Sequence, residues 1–150
     1  MKNIFDAEVT QEIIARINTL KPDTKALWGT MNVSQMLAHC NVTYAMLFDN
    51  NYKNVTGLKK WIIKKFIKPV VFSEKPFKKN SPTSGYYRMR EEKDFDTEKK
   101  RLLQYLDKTQ KLGADYFEGK ESVSFGKLSS IEWNTIFYKH LNHHLNQFGV

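Results

Sequence analysis

Two tetrapeptides, Asn32-Val33-Ser34-Gln35 and Ser129-Ser130-Ile131-Glu132, place a capping side chain three positions ahead of a Gln or Glu. Each stands at the head of a long stretch in which apolar residues recur at helical spacing. A capping box of this kind satisfies backbone N–H groups that every helix start leaves without partners, so the pattern commits much of the chain to helices. The first box predicts a helix over 32–48 with Asp49-Asn50-Asn51 as its exit, and the second a helix reaching about residue 148. An earlier segment, 7–20, has Asp6 as N-cap, Ile13, Ile14 and Ile17 on one face, and Pro22 beyond its end. Another, 97–112, has Asp96 as cap, Leu102, Leu103 and Leu106 inside, and Gly113 as its stop.

Between the second and third of these helices lies a long connection. It carries a short basic helix over 58–68 that Pro69 should end, then an irregular stretch over 72–93 with Pro76, Pro82 and Gly85. Residues 114–128 read as a second loop. Four long amphipathic helices with one long second-to-third link predict an all-α four-helix bundle with a crossover connection, folded as a single domain over 1–150.

Hydrophobic residues at 41% and aromatics at 13%, with 7 glycines and 4 prolines, exclude a disordered chain. The single cysteine, Cys40, cannot close an internal bridge, and MKNIFDAEVTQEI lacks the apolar centre of a secretory signal. No apolar run approaches the roughly 20 residues that span a bilayer, so no transmembrane segment is expected and a cytoplasmic location is. Of the net charge of +8, residues 59–79 carry +7, from eight lysines and one glutamate. Such a patch attracts polyanions and anionic membranes in a salt-sensitive way, but nothing around it reads sequence, and no specific nucleic acid is expected.

All four histidines fall in the second and fourth helices. At about 100° per residue with Ile131 at zero, Glu132, Thr135, Lys139, Asn142 and Asn146 share a polar arc. His140 and His144 fall opposite, among Trp133, Ile136, Phe137 and Leu141. His143 lies at the border, so spacing permits a His140–His143 pair while the wheel favours His140 with His144. On the second helix Met36, Cys40, Thr43 and Met46 surround His39, with Ser34, Asn41 and Ala45 on the other side. A lone inward histidine is more often a hydrogen-bonded core residue than a ligand. Three buried imidazoles near one another need something to satisfy their nitrogens, and a divalent metal does so while favouring the neutral ring.

The segments LWGTMNVSQMLAHC (27–40), FGKLSSIEW (125–133) and KHLNHHLNQFG (139–149) resemble the DinB-like (YfiT-like) metalloenzymes, in a bacterial branch of unknown function. The resemblance spans nearly the whole chain. It implies a four-helix bundle with one metal held by a second-helix histidine, here His39, and an HxxxH pair, here His140 and His144. Relatives include thiol-dependent transferases and isomerases. In this chain Ser122 to Phe125 lacks the His-Pro that the branch carries before its Phe-Gly, so a different substrate is expected if that loop roofs the pocket.

Three neutral histidines leave a zinc, nickel or iron ion with an open coordination position, which suits catalysis. Both thiol transfer to a small electrophile and hydrolysis are then available, and the expected partners are a small-molecule substrate, a low-molecular-weight thiol and a second copy of the chain in a homodimer. Gln35, Met36, Thr43, Trp133 and Gln147 are the candidate substrate-binding residues, and no catalytic residue stands out. Cys40 reads as a small buried hydrophobe rather than a nucleophile. The competing class is a binding protein that works through the basic 59–79 patch. The chain contains no Gly-rich phosphate loop, no Ser-His-Asp order and no CxxC, so dinucleotide and serine-hydrolase readings have no support.

Overall fold

The computed structural model describes residues 1–49, 51–83 and 85–150, and the chain is mostly helical with one very small sheet. Both capping boxes form. Asn32 Oδ1 accepts the Gln35 N–H at 2.8 Å and Gln35 Oε1 accepts the Asn32 N–H at 3.1 Å. Ser129 and Glu132 make the same exchange at 3.2 and 3.0 Å. These boxes open α2 (Val33–Phe48) and α6 (Ser130–Gln147), and α1 (Ala7–Thr19) precedes them. Asp6 stands at the N-cap position of α1 but caps nothing, because its carboxylate takes the Asn3 side-chain amide at 2.9 Å. Asn50, in the expected exit of α2, lies outside the described residues.

The crossover departs from expectation at its proline. One helical stretch runs through α3 (Gly57–Ile62), a π-helical turn (Ile63–Ile67) and α4 (Lys68–Val71), and Pro69 does not end it. The wide turn resets the hydrogen-bond register, which puts Pro69 in the first turn of α4, where a missing N–H is tolerated. Among the described residues, a 3₁₀ turn at Gly85–Tyr87 is the remaining regular piece of the connection.

The next helix, α5 (Phe95–Phe117), starts two residues early and ends late. Its cap is Asp94 rather than Asp96, accepting the Thr97 N–H at 2.8 Å, since Phe95 must turn its ring onto the core. Gly113 does break the helix, at φ +71°, but one more turn follows because Phe117 is fully buried, stacked 5.0 Å from Phe5. What remains of the expected loop folds into a hairpin, β1 (Glu121–Ser122) against β2 (Gly126–Lys127), with Glu121 opposite Lys127.

The helices α1, α2, α5 and α6 share one core, in which Ile13, Leu37, Tyr44, Leu106 and Phe137 are all at most 1% exposed. The Tyr44 ring lies 4.7 Å from Phe137 and within 5° of parallel. Helix α2 is buried on nearly every side, including Ser34, Asn41 and Ala45, the side read as facing away from His39. Asn41 Nδ2 holds α5 there, donating to the Glu98 side chain at 2.7 Å and to its carbonyl at 3.0 Å. Among the described residues no helix is long and apolar enough to cross a membrane.

The expected polar arc of α6 holds a further correction. Lys139 and Thr135 are buried, and Lys139 Nζ donates to the carbonyls of Val71 and Ser73 at 3.1 and 2.7 Å. Val71 is the last residue of α4 and Ser73 follows just beyond it, where backbone acceptors lack helical partners and the helix dipole favours a cation. The Lys139 side chain and the Lys68–Glu132 ion pair, at 2.8 Å, fasten the crossover onto α6.

Candidate metal centre

Because α2 and α6 pack against each other, His39 from one helix meets His140 and His144 from the other, one turn apart. The ring centroids are separated by 4.8 Å (His39–His140), 4.5 Å (His39–His144) and 4.7 Å (His140–His144). One nitrogen from each ring falls within 4.8 Å of the others, and the three can hold a metal ion.

Each ring is held by its outer nitrogen. His39 Nδ1 donates to the Tyr87 carbonyl at 2.8 Å, which leaves the lone pair on Nε2. His144 Nδ1 lies 2.8 Å from Gln147 Oε1. The Gln147 amide nitrogen donates to the Trp28 carbonyl at 2.7 Å, so its oxygen must face His144 and fix the proton on Nδ1. His140 Nδ1 is 3.1 Å from Thr43 Oγ1. Nε2 of His39 and Nε2 of His140 approach to 2.9 Å, too close for two bare lone pairs. Something positive belongs between them, a proton in the empty pair or a cation in its place. Thr43 suits both states, because its hydroxyl can donate to Nδ1 or accept from it.

The electrostatics favour neutral rings. Burial, joined by the neighbouring His144 and His39, holds His140 well below the ordinary imidazole range. Burial, and then His39, pushes His144 down to about 3, and burial lowers His39 against the opposing Tyr87 hydrogen bond. Neutral imidazoles with second partners on their outer nitrogens are the donor set a divalent transition metal takes. The residues present fit the group.

The triad sits at a cavity of about 1370 Å³ that all three histidines line, with His140 the most accessible of them. Thr43, Trp133 and Gln147 line it. Gln35 and Met36 do not. Gln35 is engaged by its capping box and by the Glu91 carbonyl at 3.2 Å, while Met36 is buried with its sulfur 3.7 Å from that of Cys40. His143 lines the cavity outside the triad, edge-on to Trp28 and Phe77 at 5.9 and 5.7 Å. Burial pushes the Cys40 thiol far up, which leaves it inert.

Sequence reasoning missed three contributors. Tyr87 comes from the irregular part of the crossover, where no periodicity predicts which backbone carbonyl will meet a helix. The Trp28 carbonyl reaches Gln147 only because residue 29 is glycine: at φ +83°, a Cβ there would lie 2.5 Å from Gln147 Nε2. Lys139 was hidden by its charge, which looked solvated.

A family model described as "Protein of unknown function (DUF1569)" matches residues 3–149. No curated protein and no solved structure matches the chain.

Proposed function

The chain belongs to the DUF1569 family of proteins of unknown function, and we propose that it is an enzyme with one divalent transition metal, zinc, nickel or iron, on His39, His140 and His144. In this reading it is a four-helix bundle of the DinB-like kind and transfers a low-molecular-weight thiol to a small electrophile. The observation that carries it is the convergence of three ring nitrogens whose outer partners are Tyr87, Thr43 and Gln147.

A divalent metal there supplies Lewis acidity, enough to make a thiol or water nucleophilic near neutral pH. Tyr87, Thr43 and Gln147 keep the rings in place, and Thr43, Trp133 and Gln147 contact the substrate from the cavity wall. His143, held below the ordinary imidazole range by burial and by Lys79, is neutral at pH 7 and takes the proton. In the transfer, the sulfur bonds to the electrophilic carbon, the leaving group departs with its electron pair, and the thiol proton passes to a ring nitrogen of His143. Hydrolysis is the rival, since His143 can serve water in the same way.

The test is to offer metal-loaded protein a set of electrophiles with and without cellular thiols, following electrophile loss and hydrolysis product together. Thiol-dependent turnover that vanishes in His39→Ala supports transfer, and thiol-independent turnover favours hydrolysis. Metal content should fall in His39→Ala, His140→Ala and His144→Ala and persist in His143→Ala. Metal that survives all three triad substitutions overturns the assignment.

A further inference from the structure

The cavity above the histidines has a one-sided lining. Its wall on the crossover helix is aliphatic, from Leu58, Ile62, Ile67 and Val70, which remain 73, 42, 47 and 62% exposed, and Phe77 and Phe125 face the same space. Large apolar side chains left this open are uncommon unless something covers them. The same cavity is lined by four cations, Lys59, Lys78, Arg88 and Arg90, and among the described residues by no Asp or Glu.

The pairing of the cations sharpens this. On the same helical stretch but outside the cavity lining, Lys60 and Lys68 have carboxylate partners in Glu121 and Glu132, while Lys64 and Lys65 have none among the described residues, so what sets the cavity cations apart is their place beside the apolar wall. The four cavity cations have no carboxylate partner among the described residues. Arg88 Nε donates to the Thr83 carbonyl at 3.1 Å, which steadies the guanidinium without neutralising it. An apolar wall and uncompensated positive charge in one cavity call for an occupant with both complements. A neutral apolar molecule leaves the charges unanswered, and a small anion leaves the wall wet.

We propose that the cavity takes an anionic amphiphile of small-molecule size, its carboxylate, sulfonate or phosphate paired with these cations and its aliphatic or aromatic body on the crossover wall. This rests on the reading of the cavity as the substrate site and names the substrate class.

The experiment is calorimetric titration of the metal-loaded full chain with octanoate, octan-1-ol and acetate at low and high salt. Lys59→Gln/Arg88→Gln/Arg90→Gln is titrated in parallel, and metal content is measured on the same samples. The expected result is one octanoate per chain, bound more weakly at high salt and about tenfold more weakly in the triple variant, the combined effect of exposed ion pairs. Octan-1-ol and acetate should each bind far less well. Equal binding of octanol, equal binding of acetate, or no binding of any probe overturns the proposal, and the salt series decides even if the triple variant misfolds. Vesicles containing phosphatidylglycerol form the last arm: binding to them without binding to octanoate places the anion on a membrane surface and overturns the cavity assignment. Octanoate binding in protein that holds no metal sinks the metal reading alone, whereas metal without octanoate binding sinks this inference alone.

Discussion

Thr43 Oγ1 stands 3.1 Å from Nδ1 of His140 on the neighbouring helix, and its hydroxyl can answer that nitrogen as donor or as acceptor. It therefore supports His140 whether or not a cation lies on the other side of the ring. Thr43→Val and Gln147→Leu should each weaken metal affinity by about 10–100-fold, with Thr43→Ser near the parent value. Competition against a chelator of known affinity measures this, and unchanged affinity in both variants would show that the outer partners do not tune the site.

Lys139 makes its hydrogen bonds to the end of α4 from a buried position. Lys139→Met keeps the stem but leaves those carbonyls unpaired, a loss of about 1–3 kcal/mol in urea unfolding. Limited proteolysis should then cut within 72–93 sooner while helix content is kept. If cleavage there is no faster, the crossover is held by other contacts.

Phe137 is fully buried against Tyr44 and Trp133, while Ile131 on the same helix is 75% exposed. Phe137→Ala should cost about 3–5 kcal/mol and Ile131→Ala less than about 0.5 kcal/mol. Comparable losses from the two would mean that α6 is turned differently in solution.

The buried Cys40 thiol keeps its proton in the native state well above the pH at which an unfolded cysteine loses it. The unfolded chain thus binds fewer protons above about pH 8.5, and stability should fall as pH rises past that value. In Cys40→Ala this part of the pH dependence should vanish, and a thiol reagent should label native protein only as fast as it unfolds. Rapid native labelling at pH 8 would contradict the burial.

The legible parts of the molecule were those in which local chemistry and tertiary need agree. The boxes at Asn32 and Ser129 close by themselves, and His39, His140 and His144 announced their side of the helix by the apolar residues around them. Elsewhere a distant partner decided the outcome. Gly113 and Pro69 carry strong local stop signals, yet the burial of Phe117 restarts one helix, and a π-helical turn carries the other past its proline. Lys139 looked solvated because its acceptors lie some 70 residues away in the chain. Gln35 and Met36 sit at plausible spacing from His39, but one is engaged by the helix cap and the other by Cys40.

The meeting of Gly29 with Gln147 extends control of the histidine centre to a residue with no side chain. The Leu27 N–H donates to the Gln147 carbonyl at 2.8 Å, and the Gln147 side-chain amide donates to the Trp28 carbonyl, so the connection between α1 and α2 is stitched to the last turn of α6 by one backbone bond and one side-chain bond. Enlarging residue 29 to alanine displaces the amide from His144 without altering any donor atom. In a titration the change will look like a damaged ligand, so a loss of metal in a variant of this connection identifies a dial on the site and not a fourth ligand.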